Sequence, residues 1–289
     1  MARTTGVVRR ERITHFSNGD LTFPARDRGP LDGIPVLLLH GWPQDGSSWD
    51  AVTTRLNDEG FRTFSPDLRG VSATANPRSR RAFSGSALRS DVAAMVAQIG
   101  QRVHLVGHDW GAALAWNVAA HEPDLLNSLT AVSVPHPSAF LRALVTSRQG
   151  IASWYMYFFQ LPWVPELVLG SRWFMTRALM TTGQRRELAD RDARRNATHG
   201  LRRGGLNWYR GAVIDPFDAG SPTPIPVLQV WSEGDSAVLR HSIDRTEAYA
   251  GGAYRLKVLE AVSHWIPDEA PEELATELIA HFDRAWELR

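Results

Sequence analysis

The sequence contains no cysteine. Thiol nucleophiles, disulfides and cysteine-ligated metal centres are therefore excluded. Lysine is nearly absent: Lys257 stands alone, and every other basic side chain is arginine. We read that as composition, not function. Net charge is also lacking. The 32 basic and 31 acidic residues leave a formal +1 at pH 7, so nothing in the charge balance favours nucleic acid or an anionic membrane. Long apolar runs are missing too. The nearest, residues 151–175, is interrupted by Gln160, Pro162, Pro165, Glu166 and Arg172. Its unbroken stretches fall well short of the ~18 residues of a membrane span. The first dozen residues carry charge with no apolar run behind them, unlike a secretory signal. We expect a cytoplasmic protein with no stable membrane insertion. The 10 histidines include no His-Glu-x-x-His or similar ligand spacing, so neither metal nor other cofactor is expected.

What is present is an alternation. With 289 residues, the chain can hold one large domain, or a core with an insertion. Residues 12–16 and 21–25 read as strands joined at Asn18-Gly19, a hairpin signal. The apolar run 36–39 fits a strand buried on both faces of a parallel sheet. A helix near 49–57, a strand at 62–66, a helix at 84–99 and a strand at 103–107 follow. Next come an Ala-rich helix at 111–121 and a strand at 129–134. From 137 to about 222 the pattern becomes irregular helices rich in aromatics and arginine. Alternation returns as strand 226–231, helix 244–250, strand 253–259 and helix 271–288. This predicts an α/β core of residues 1–137 and 223–289, interrupted by a helical cap at 138–222.

Four short motifs sit where predicted strands end. Gly107-His108-Asp109-Trp110-Gly111 has the form Gly-x-nucleophile-x-Gly of a sharp strand-to-helix turn, with aspartate where serine usually stands. The plain alternative is a tight turn capped by Asp109. His40-Gly41-Trp42-Pro43 follows the buried 36–39 run. It could supply the Trp42 N–H to an oxyanion hole, with the Trp110 N–H as the second donor. The Trp42–Pro43 bond is a candidate for the cis form. Ser232-Glu233-Gly234-Asp235 offers an orienting acid, Asp235, with Glu233 as its competitor. The other usual place for that acid, after the 129–134 strand, reads Pro135-His136-Pro137 and has none. His264 follows the last strand. The order Asp109, Asp235, His264 is that of an α/β-hydrolase triad, and the four motifs together predict that fold, with a mostly parallel sheet.

Aspartate at the turn changes the chemistry. A carboxylate with a reference pKa of about 3.9 is ionised at neutral pH and needs no base to become a nucleophile. It can displace at a saturated carbon and leave an alkyl ester, which water can hydrolyse. A serine doing the same would be trapped as an ether. Asp109 therefore points to an epoxide or alkyl halide as electrophile, with His264 activating water and Asp235 orienting His264. An opening epoxide oxygen needs a proton or a strong hydrogen bond, which a phenol provides. A halide is content with weaker N–H donors. Of the 5 tyrosines, Tyr155, Tyr157 and Tyr209 lie in the cap segment.

The sequence resembles the soluble epoxide hydrolases of the α/β-hydrolase superfamily. The match runs in order through His40-Gly41-Trp42-Pro43, Gly107 to Gly111, Val134-Pro135-His136-Pro137, Tyr155 with Phe159-Gln160 and Pro162, Asn207-Trp208-Tyr209-Arg210, and Ser263-His264-Trp265. It spans roughly residues 12–285. The resemblance implies that Tyr155 and Tyr209 hold the epoxide oxygen, with Tyr157 the alternative to Tyr155. It implies a small-molecule epoxide and water as partners, and trans-opening to a vicinal diol. Trp163 stands where the family often has glycine after Pro162, which leaves substrate size open. Homodimer formation is left open as well. Two other functions are kept in view. One is a haloalkane or haloacid dehalogenase with the same Asp-His-Asp machinery. Against a haloacid substrate, Trp110 stands where fluoroacetate dehalogenases carry arginine. The other is a non-catalytic binding protein of the same fold, which the intact triad disfavours.

Overall fold

The computed structural model describes residues 11–217 and 222–287. Eight strands form one sheet: β1 His15–Asn18, β2 Leu21–Arg28, β3 Ile34–Leu39, β4 Phe61–Pro66, β5 Val103–His108, β6 Leu126–Val132, β7 Val227–Ser232 and β8 Tyr254–Leu259. Their order across the sheet is β1-β2-β4-β3-β5-β6-β7-β8. β1–β2 and β2–β4 pair antiparallel, and every other pair is parallel. The expected mostly parallel sheet is therefore present, and the order reversal around β3 and β5 creates a crevice at their carboxyl ends.

Burial on both faces explains the continuous apolar strands. Along β3, Leu37 and Leu39 join the core that also holds Val92, Leu105 and Trp116. Val36 and Leu38 join the opposite core, with Trp49, Val106, Leu278 and Phe282. Successive side chains alternate faces, so both must be apolar. The first core packs under α2 (Gly85–Ile99) and α3 (Trp110–His121), the second under α1 (Asp50–Asp58) and α13 (Pro271–Glu287). Ser84 caps α2 by accepting from the Ala87 N–H at 3.2 Å, and left-handed Gly100 closes it.

Between β6 and β7 the chain leaves the sheet as α4 Pro137–Thr146, α5 Gln149–Ala152, α6 Trp154–Phe158, α7 Val164–Val168, α8 Arg172–Thr181, α9 Arg186–Asn196 and α10 His199–Ile214. These are the irregular helices expected for this segment. The Trp208 indole of α10 donates to the Arg69 carbonyl of the core at 2.8 Å. Gly204 lies against Gly70, where a Cβ on either would overlap the facing backbone.

Several boundaries differ from expectation. β1 starts at His15 instead of 12, and β6 runs Leu126–Val132 instead of 129–134. Asn127 and Ser128 hide the start of β6 from an apolar count, and Ser133 ends it by turning to φ 67°. The helix expected at 244–250 is instead α11 (Arg240–Ile243) and a 3-10 turn at Thr246–Tyr249. So short a segment, followed by Gly251-Gly252, cannot sustain a full helix by itself. A further short helix, α12, spans Ile266–Glu269. The residues weighed as a leader fall mostly at 1–10, outside the described residues, as do 218–221 on the return from the cap segment. Among the described residues no helix is long and apolar enough to cross a membrane.

Candidate active site

The parallel register brings the motifs to one edge. Leu39 pairs with Gly107, His108 with Val132, and Ser232 with Leu259. Residues just beyond these pairs therefore converge, although Trp42 and His264 lie more than 200 positions apart in sequence.

Asp109 sits at the β5–α3 turn with φ 52° and ψ −122°, a strained backbone for a residue with a side chain. The neighbouring glycines make that turn possible. A Cβ on Gly107 would overlap the Gly111 carbonyl, one on Gly111 the Leu39 carbonyl, and one on Gly41 the Asp109 side chain itself. The Trp42–Pro43 bond is cis, and the Trp42 N–H donates to Asp109 Oδ1 at 2.9 Å. The backbone N–H of Trp110 also helps to keep that carboxylate ionised. The Trp42 N–H, one of the two expected of an oxyanion hole, thus holds the resting aspartate.

His264 lies between two carboxylates. Its Nδ1 donates to Asp235 Oδ2 at 2.8 Å, and its Nε2 is 3.5 Å from Asp109 Oδ2. Asp235 is fixed in turn, since its Oδ1 accepts from the Ala237 and Val238 N–H groups at 2.8 and 2.9 Å. Glu233, the competing acid, is exposed. Burial works against a charged His264, but Asp235 and then Asp109 overcome it and push its pKa up to about 10. Burial likewise works against ionised Asp109, yet the hydrogen bond and charge of His264 hold its carboxyl below the ordinary range.

Tyr155 and Tyr209 both line the space above Asp109 and His264, with ring centroids 6.1 Å apart. Burial, reinforced by the charge of Asp109, raises both phenols well above the usual range, so they stay protonated. Gln160 ties α6 to α10. Its amide donates to the Met156 and Tyr209 carbonyls, each at 3.2 Å. Tyr157 does not reach the site; it is 62% exposed on the outer face of α6.

The space itself has two arms that meet at Asp109, Tyr155, Tyr209 and His264. One, of about 300 Å³, is walled by Trp42, Phe159, Leu179 and Trp265. The other, of about 120 Å³, is walled by Val134, Phe140, Met156 and Phe217. Both are lined chiefly by apolar side chains.

A family model for the α/β hydrolase fold matches residues 34–271. The chain belongs to that family. It is 30% identical over 265 residues to AB hydrolase superfamily protein YfhM of Bacillus subtilis, covering 88% of this chain and 92% of that protein. It is also 30% identical to Epoxide hydrolase 3 of Xenopus tropicalis, over 91% of this chain and 72% of that one. Among solved structures, Epoxide Hydrolase A from Mycobacterium thermoresistibile superposes with a TM-score of 0.79 at 25% identity, covering 93% and 97% of the two chains.

In this α/β hydrolase two supporting residues were not evident from sequence. Ser133 and His108 both donate to the His264 carbonyl, at 2.8 Å from Oγ and 2.9 Å from Nε2. They fix the loop that presents the imidazole. Burial is the main cause that lowers His108 to about 4, so it stays neutral. For His108 the motif gave its place but not its partner, and nothing in the sequence marks Ser133. His40 is structural, as its place in a motif suggests. Its Nδ1 donates to the Gly41 carbonyl at 2.8 Å, and its Nε2 accepts from the Leu68 N–H at 3.0 Å.

Proposed function

We propose that this protein is an epoxide hydrolase that opens its substrate through a covalent ester on Asp109. The observation that carries the proposal is the facing of one ionised carboxylate by two protonated phenols in a single apolar cavity. A carboxylate nucleophile explains attack on saturated carbon. The two phenols supply what an epoxide oxygen needs as its C–O bond breaks.

In the first step Asp109 Oδ2 attacks one epoxide carbon, and the opened oxygen takes a proton from Tyr155 or Tyr209. Alkylation turns Asp109 into a neutral ester. His264 then loses one of the two charges that hold its proton. The proton it releases to the solvent balances the one gained by the opened oxygen, and the phenol is restored. In the second step neutral His264 deprotonates a water, which attacks Cγ of the ester. Negative charge develops on Oδ1, already within reach of the Trp42 N–H and supported by Trp110. Collapse releases the vicinal diol, whose oxygen takes its proton from His264, and the proton of the regenerated Asp109 carboxyl then passes to His264, which restores the carboxylate and the charged imidazole. In this scheme residues 138–222 act as the cap that carries the phenols, and 1–137 with 223–289 as the core that carries the triad.

A halide-releasing enzyme would use the same Asp109, His264 and Asp235. It would need free N–H donors at the leaving group. The Trp110 ring, which would carry one such donor, packs edge-on against Tyr209 at 4.7 Å between centroids, and the two phenols beside Asp109 favour the epoxide. The distinguishing experiment offers purified protein a panel of epoxides and haloalkanes. Diol formation without halide release is expected. Halide release without diol would replace the proposal with the dehalogenase.

A further inference from the structure

A separate cavity of about 480 Å³ lies on the outer side of α10, against α7 and residues 78–80. It shares no lining residue with either arm of the active cavity. Its wall is cationic: Arg78, Arg80, Arg202, Arg203 and Arg210 line it, and Glu166 is the one acid among its lining residues. Glu166 is already held by Arg210 in a bidentate pair at 2.5 and 3.0 Å. One carboxylate therefore stands against five guanidinium groups in the wall.

The donors there are also unmatched. Arg202 Nε, Arg203 Nε and Asn207 Nδ2 are shielded from solvent and have no hydrogen-bond partner. Arg202 is 7% exposed and Asn207 1% exposed. The Arg202 guanidinium is fixed through Nη1, which donates to the Asn196 and Ala197 carbonyls at 3.0 and 2.9 Å. Burial lowers its pKa, and the charge of Glu166 only partly opposes that. Unpaired buried donors are costly, most of all on a charged group. A cluster that offers donors and few acceptors suits an oxyanion. The opposite wall has a different character. It is built from Pro162, Trp163 and Leu167, and the last two are 77% and 76% exposed.

We infer that this cavity is a second ligand site, for an oxyanion head group carried on an apolar chain. The head, a phosphate or carboxylate, lies against the more accessible guanidinium groups of Arg78, Arg80 and Arg203. The chain runs over Pro162, Trp163 and Leu167. Occupancy would not block epoxide entry, because the site lies behind the wall that carries Tyr209.

Isothermal titration of the full-length protein tests this with octyl phosphate, octanoate, octanol and inorganic phosphate. The comparison protein is the double variant Arg80→Gln with Arg203→Gln, whose side chains are not fully buried; a thermal melt verifies its fold. Octyl phosphate or octanoate should bind wild type, and octanol should not. The double variant should bind at least about tenfold more weakly, the scale of one lost charge-assisted hydrogen bond. Trp163→Ala should weaken the octyl ligands and leave inorganic phosphate unchanged. Unchanged binding in the double variant, or no anion binding to wild type, would overturn the site. Equal affinity for octyl and inorganic phosphate would overturn the apolar half. Competitive inhibition of epoxide turnover would place the ligand in the active cavity instead and also overturn the proposal.

Discussion

The two oxygens of Asp109 face different partners. Oδ1 accepts the Trp42 N–H at 2.9 Å, while Oδ2 faces His264 Nε2 at 3.5 Å. The proposed division of labour follows from that: Oδ2 attacks, and Oδ1 becomes the ester carbonyl oxygen held by backbone N–H groups. His264→Gln should therefore leave alkylation intact and slow ester hydrolysis by about 10²–10⁴-fold. Mixed with epoxide, the variant should gain the mass of one substrate molecule on the Asp109 peptide. An unmodified peptide beside continued turnover would remove His264 from its role. Tyr155→Phe and Tyr209→Phe should each slow the alkylation phase, by about 10²-fold where that phenol is the proton donor. Stopped-flow quenching of tryptophan fluorescence can follow that phase. Rates equal to wild type in both variants would mean that the epoxide oxygen finds its proton elsewhere. At this scale the grouping of Asp109, Asp235 and His264 was legible in the sequence because each follows a strand in a fixed chain order. Choosing Asp235 over Glu233, or Tyr155 over Tyr157, depends on which side chain the backbone turns inward. Motif position alone had favoured Asp235 and Tyr155, and the structure adds that Asp235 is buried beside His264 while Glu233 and Tyr157 are exposed.

At the scale of elements, the site depends on close approach between α10 and the loop after β3. A Cβ on Gly205 of α10 would collide with the Trp42 indole, and the Trp42 ring packs edge-on against Tyr209 at 5.9 Å. Two effects compete in Gly205→Ala. Helix propensity favours alanine by about 1 kcal/mol, whereas overpacking typically costs about 1–3 kcal/mol. We expect the overlap to win because an aromatic ring with several packed neighbours cannot move freely. The variant should be less stable in urea denaturation, and turnover should fall at least about tenfold as the Trp42 N–H shifts from Oδ1. Higher stability with full activity would show that the contact is soft. The glycines of the Asp109 turn could be read from sequence because their spacing is fixed within one loop. Gly205 could not, since its partner is 163 positions away and no local pattern marks it. The same holds for the Ser133 hydroxyl. Strand β6 was misplaced for a related reason, because Asn127 and Ser128 near its start are polar yet buried by their neighbours.

For the molecule as a whole, the charged triad couples catalysis to stability. His264 is pushed up to about 10 from an ordinary value of 6.5. The folded protein therefore keeps a proton that the unfolded chain releases across that window. The corresponding stability is present in full below about 6.5 and is lost as pH rises through about 10. Melting temperature should fall between these limits more steeply for wild type than for His264→Gln, which has no such proton. Parallel slopes would mean that His264 is neutral in the resting protein. Alternating strands, the interruption by irregular helices and the four strand-end motifs made the fold readable before any coordinates. The two-armed cavity was not readable, because its walls come from the loop after β3, α3, the helices between β6 and β7 and the loop that carries His264 together.

The covalent route through Asp109 is tested most directly by a single turnover in ¹⁸O-water with enzyme in excess over epoxide. Mass spectrometry then reads the Asp109 peptide and the diol. Attack of water on the ester predicts ¹⁸O in the Asp109 carboxylate and an unlabelled diol from that first turnover. An ¹⁸O-labelled diol with an unlabelled Asp109 peptide would contradict the account, because water would then have attacked the epoxide itself.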